Sequence, residues 1–155
     1  MPEMDTPRLP AVGGCRCGKV RFRVAAPPLF TSACHCRGCQ KMTGGPYSLS
    51  VAIPSEGFEV TEGEPVIGGM HAEPQHFFCG WCMSWLFTRI PGVDFFVNVR
   101  APMLDHADWA VPFIETCTSE ALPWALTGAR YAYPGFPPME DLGAILAAYR
   151  SATDA

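Results

Sequence analysis

Seven of the chain's eight cysteines fall into three tight groups. Cys15 and Cys17 form C-x-C between Gly14 and Gly18. Cys34, Cys36 and Cys39 form C-x-C-x-x-C, and Cys79 and Cys82 form C-x-x-C. Sulfurs this close along a chain can surround one ion of tetrahedral preference, and flanking glycines let the backbone turn tightly around it. Seven ligands divide into a closed site of four and an open site of three. The natural partition joins Cys15, Cys17, Cys79 and Cys82, stapling an N-terminal turn to a central hairpin. Cys34, Cys36 and Cys39 then hold a second ion on one loop, with a coordination position left for water or substrate. Disulfides or an iron–sulfur cluster could draw on the same residues, and both stay open as alternatives at this level. Cys117 stands alone and reads as a small buried apolar residue.

The remaining sequence bounds the fold. At 155 residues, 48% hydrophobic and 17% charged, the chain can bury one real core. Sixteen prolines argue against a helical bundle. The formal charge of -4 argues against nucleic acid as a partner. No charged-then-apolar leader and no long apolar run are visible, so no membrane partner is expected and the chain reads as cytoplasmic. Residues 1–12 read as a mobile N-terminal tail, and 13–155 as a single zinc-binding β domain. Lys19–Val24 and Tyr47–Ile53 alternate as half-buried strands do. Phe58–Thr61, His76–Cys79, Trp85–Arg89, Phe95–Val99 and Pro112–Thr116 are further strand candidates, and turn signals between them point to antiparallel β structure. From Met139 to Ala152, Leu142, Ile145, Leu146 and Tyr149 share one helical face. Leu122–Pro138 is expected to be irregular.

These motifs resemble a known family. Gly13–Phe22 (GGCRCGKVRF) is similar to the opening motif of the glutathione-dependent formaldehyde-activating enzymes, which include the centromere protein V relatives. Cys34–Cys39 (CHCRGC) resembles the second motif of that family, and Phe78–Cys82 (FCGWC) the third. Leu122-Pro123-Trp124 also fits its bacterial members. The resemblance implies a zinc-stapled antiparallel β-tent with a short C-terminal helix. It implies two zinc ions per chain, a structural one on Cys15, Cys17, Cys79 and Cys82 and a catalytic one on Cys34, Cys36 and Cys39. The implied activity is that of a carbon–sulfur lyase, S-hydroxymethylglutathione synthase, with glutathione and formaldehyde as small-molecule partners. A non-catalytic zinc module that binds a thiol or a protein partner is the competing reading. One departure stands out. Met83 follows the last cysteine where family members commonly have glycine, which takes positive φ freely, so the turn there is expected to differ.

The chemistry is coherent. Three thiolates on a divalent ion leave a charge of about -1, which suits holding a fourth thiolate better than polarising a carbonyl. Arg37 and Lys41 flank the triplet and could meet the carboxylates of glutathione. His35, between two proposed ligands, is expected to hydrogen-bond near the site rather than ligate. His71, His76 and His106 read as surface or structural.

Overall fold

A computed structural model describes residues 4–154, so residues 1–3 of the expected tail lie outside the described residues. In chain order the first strands are β1 (Ala11–Gly14), β2 (Arg21–Val24), β3 (Phe30–Cys34), β4 (Ser48–Pro54) and β5 (Phe58–Glu62). The rest are β6 (Val66–Gly68), β7 (Gln75–Phe78), β8 (Trp85–Ile90), β9 (Val93–Arg100), β10 (Ile114–Thr116) and β11 (Tyr131–Ala132). Two α-helices, α1 (Arg37–Thr43) and α2 (Met139–Thr153), complete the regular structure with a few short 3-10 turns. A three-stranded sheet runs β1-β2-β5, and an eight-stranded sheet runs β11-β10-β3-β4-β9-β8-β7-β6.

Alternation explains β2: Phe22 and Val24 are buried while Arg23 faces solvent. Phe22, Val24 and Phe58 of the small sheet pack against Val51, Ile53, Phe87, Val97 and Val99 of the large one. The Phe22–Phe58 and Phe58–Phe87 ring centroids lie 5.5 and 4.9 Å apart, which links the two layers. A second cluster joins Phe113 and Ile114 to Ile145 and Tyr149 of α2, so the helix docks beside β10. Leu142 and Leu146 are only half-buried, and the apolar stripe of α2 is narrower than its sequence suggests.

The chain is mostly β and mostly antiparallel, with a short C-terminal helix, as expected. Three points differ. Regular structure begins at Ala11 rather than Gly13, because β1 pairs with β2 and Leu9 already packs on the core. The pairs β3–β10 and β10–β11 are parallel; a three-residue strand carries no sequence signal for its direction. Within Leu122–Pro138 the chain forms a 3-10 turn at Pro123–Ala125 and the short strand β11. Among the described residues no helix is long and apolar enough to cross a membrane.

Candidate functional site

The first cluster forms where two turns meet. Cys15 and Cys17 lie in the β1–β2 turn, and Cys79 and Cys82 in the β7–β8 turn. The β1–β2 turn is tight because Gly14 permits it: a Cβ there would collide with the Val20 carbonyl, which accepts the Cys15 N–H at 3.0 Å. The four sulfurs lie within 4.8 Å of one another. Cys15–Cys17 and Cys17–Cys79 are 3.5 and 3.7 Å apart. Zinc–sulfur bonds of about 2.3 Å at tetrahedral angles place sulfurs about 3.8 Å apart, so the spacing fits such an ion. All eight cysteines are free, and these separations are far longer than a disulfide. Backbone N–H groups of Val20 and Trp81 point at the Cys15 and Cys79 sulfurs. The Ser84 hydroxyl lies 3.2 Å from the Cys82 sulfur and brings that thiol down to about 5.

Met83, next in this turn, has φ of +58°. The backbone here takes the left-handed conformation that glycine favours, with a methionine in it.

The second cluster is not on a loop. Cys34 ends β3, Cys36 caps the N-terminus of α1, and Cys39 sits inside that helix. Their sulfurs also lie within 4.8 Å of one another, and all three residues are half-buried. The Cys36 sulfur accepts the Cys39 N–H at 3.3 Å, doing the work of a capping oxygen. The Ser48 hydroxyl donates to the Cys39 sulfur at 3.0 Å. Hydrogen bonding from Cys39, then from Thr116 and the Cys36 N–H, outweighs burial and brings the Cys34 thiol down to about 5. At the far end Gly44 closes α1 with φ of +68°, donating its N–H to the Gln40 carbonyl at 2.9 Å.

His35 points away from the cysteines. It is fully buried, and its Nε2 lies 2.8 Å from the Glu115 carboxylate of β10. A carboxylate only accepts, so His35 donates through Nε2. The Thr127 N–H also donates to Glu115, at 2.7 Å. Burial works against the charged form of Glu115, yet these partners hold its carboxyl below the ordinary range. Gln40 donates to the His35 carbonyl at 2.8 Å, tying α1 to the same junction. Glu115 and Gln40 escape the sequence reading, although a lone carboxylate inside the apolar run Pro112–Thr116 is the signal for the first. His76 is structural, 2.8 Å from the Thr88 hydroxyl, while His71 and His106 are exposed. Cys117 is buried, and burial, with Cys34 beside it, pushes its thiol up to about 12.

Arg37 and Lys41 are exposed on α1 and line a hollow of about 490 Å³ with Gln40, Gly45 and Trp124. A second hollow of about 370 Å³ lies on the far side of Trp124, against Tyr47 and Thr127. Neighbours of the triplet, not the cysteines themselves, line both. Trp124 is 75% exposed and stands between them.

Residues 10–120 match the profile of the family described as glutathione-dependent formaldehyde-activating enzyme. The chain belongs to this family. Both cysteine clusters and β1 to β10 fall within the matched region. A Halomonas elongata protein, provisionally named as a glutathione-dependent formaldehyde-activating enzyme, is 33% identical over 101 residues. That match covers 60% of this chain and 64% of the relative, so the chain spans less than two-thirds of its length. A crystal structure of a Rhodobacter sphaeroides protein superposes with a TM-score of 0.53 at 16% identity, covering 79% of this chain and 99% of that one. At that identity the likeness is one of fold alone.

Proposed function

We propose that the chain is a zinc-dependent carbon–sulfur lyase of the S-hydroxymethylglutathione synthase kind. It would join formaldehyde, or a related aldehyde, to glutathione at Cys34, Cys36 and Cys39. The observation that carries this reading is the inequality of the two clusters. Four thiols complete a tetrahedron, and three leave one position short. An all-thiolate donor set at this spacing suits zinc. Cys15, Cys17, Cys79 and Cys82 would hold a structural ion, and the triplet a second, open one. Family membership supports the choice of thiol and aldehyde.

Zinc at the triplet would supply a position where an incoming thiol stays deprotonated at neutral pH. The chain's own residues arrange everything else. The Ser48 hydroxyl and the Cys39 N–H fix two of the ligand sulfurs. The His35–Glu115 pair locks the junction that carries all three cysteines. Arg37 and Lys41 offer cations to the two carboxylates of glutathione, directly beside the cluster. Trp124 forms one wall of the hollow and offers a flat apolar surface to a bound thiol. In the reaction the thiol sulfur bonds to the carbonyl carbon and the carbon–oxygen π bond breaks. The proton lost from sulfur is balanced by one gained at oxygen, so nothing is oxidised or reduced.

The test is the rate of S-hydroxymethylglutathione formation, followed by NMR exchange, for zinc-loaded protein and for Cys36→Ala. Acceleration by the native protein alone is expected. With two zinc ions bound, no acceleration with formaldehyde or with other small aldehydes would sink the reading in favour of a non-catalytic module that binds a thiol or a protein partner.

A further inference from the structure

Arg100 ends β9 and is buried, with 6% of its surface exposed. Its guanidinium carbon lies 4.1 Å from the centre of the Trp85 ring. Nη2 donates a long hydrogen bond, 3.4 Å, to the Asn98 carbonyl, and Nε has no partner among the described residues. The ion pairs among the described residues are Arg21–Asp105 and His35–Glu115, so no carboxylate answers this charge. Burial lowers Arg100 to about 10, which still leaves it protonated at neutral pH. A buried cation is costly to keep unless an anion faces it.

The strand register places the three-cysteine cluster on the same face of the sheet as Arg100. Arg100 pairs with Ser50 across β4 and β9. Ser50 pairs with Ser32, and Ser48 with Cys34, across β3 and β4. Side chains alternate along a strand, so Arg100, Ser50, Ser48, Ser32 and Cys34 share one face of the large sheet. The Ser32 and Ser50 hydroxyls bond each other at 2.8 Å, and Ser48 bonds the Cys39 sulfur at 3.0 Å. Arg100 thus shares a face with the row of small hydroxyls that ends at the triplet, while its guanidinium stacks over Trp85 of β8.

We propose that Arg100 is the buried counter-charge of the three-cysteine centre and sets how tightly that centre holds its metal and an incoming thiolate. This rests on the reading that the triplet binds a divalent ion. Three thiolates and such an ion carry about -1, which one guanidinium balances. A fourth thiolate adds another negative charge, so the same cation favours the thiol-loaded state further. Arg37 and Lys41 are exposed, and salt screens them more than it screens Arg100. Arg100 acts through the sulfurs and is a positioning residue, not a catalytic one.

The test compares zinc-loaded wild type with Arg100→Met, Arg100→Gln and Arg100→Lys in a graded chelator titration. The four-cysteine centre of the same chain serves as internal reference. Methionine can still pack on Trp85, and glutamine gives a second neutral variant should the first not fold. The neutral variants should weaken the three-cysteine centre about tenfold relative to the reference, and Arg100→Lys should restore most of the loss. An unchanged ratio of the two affinities in the neutral variants, even with a lower melting temperature, would overturn the proposal and leave Arg100 a packing residue. Wild type that binds one zinc only would overturn the metal reading itself, an outcome distinct from the first.

Discussion

Met83 holds a φ of +58° with its side chain 56% exposed, in the turn that carries Cys79 and Cys82. The left-handed conformation costs a non-glycine residue about 1–2 kcal/mol. The exposed side chain offers little packing in return. Glycine would remove that strain but give the unfolded chain more freedom, offsetting about 0.4–1 kcal/mol. Met83→Gly should therefore stabilise the zinc-loaded protein by up to about 1 kcal/mol, a rise in Tm of roughly 2–4 °C for a chain this long. A lower Tm in calorimetry would show that the methionine makes a compensating contact. At this scale the cysteines are the legible part of the candidate site, because the members of each group lie close together in sequence. Glu115 and Arg100 were not legible. Glu115 meets His35 and Arg100 stacks on Trp85, each far away in sequence, and local spacing carries no trace of such partners.

The element that matters most is the β3–α1 junction. Phe30–Cys34 (FTSAC) is a strand of small and polar residues buried along its middle, so it shows no alternation to read. Helix α1 is seven residues long with no buried residue, too short for a hydrophobic stripe. Both are held by what they touch: β3 by β4 and β10 on its two sides, α1 by the Cys36 cap and the Gly44 stop. Strands β2, β4, β8 and β9 were readable because they carry apolar residues at strand spacing into the main core. The lock on the junction is the His35–Glu115 bond, and it has a pH signature. The Glu115 carboxyl sits below its ordinary 4.5 in the folded chain. Its contribution is therefore full above pH 4.5 and is lost as pH falls through the lowered folded value. Glu115→Gln keeps the shape and an acceptor but removes the charge, and should cost about 1.5–3 kcal/mol at pH 7. Denaturant melts of both proteins at pH 7 and near pH 4 check this, since acid loss of metal is common to the two and cancels in the difference. A gap between them that does not narrow in acid would show that the charge of Glu115 is not what holds the junction.

Across the whole molecule, the two clusters sit differently in the fold. The first joins the β1–β2 turn of the small sheet to the β7–β8 turn of the large one, bridging residues 62 apart between Cys17 and Cys79. An ion there would close a long loop and fix one layer on the other. Because the site does not exist in the unfolded chain, its binding free energy becomes folding free energy. The second cluster draws its three ligands from one short stretch, Cys34 to Cys39, already tied to β10 through His35 and to β4 through Ser48. An ion there closes almost no loop. Cys82→Ser should accordingly destabilise the chain by more than about 4 kcal/mol, the scale of losing a structural metal. Cys36→Ser should cost about 1 kcal/mol or less, since serine at an N-cap accepts the same Cys39 N–H at least as well. Urea melts followed by circular dichroism, with zinc counted in each variant, read both losses. Equal destabilisation by the two substitutions would mean that the open cluster also holds the layers together, and the division into a structural and a working centre would fall.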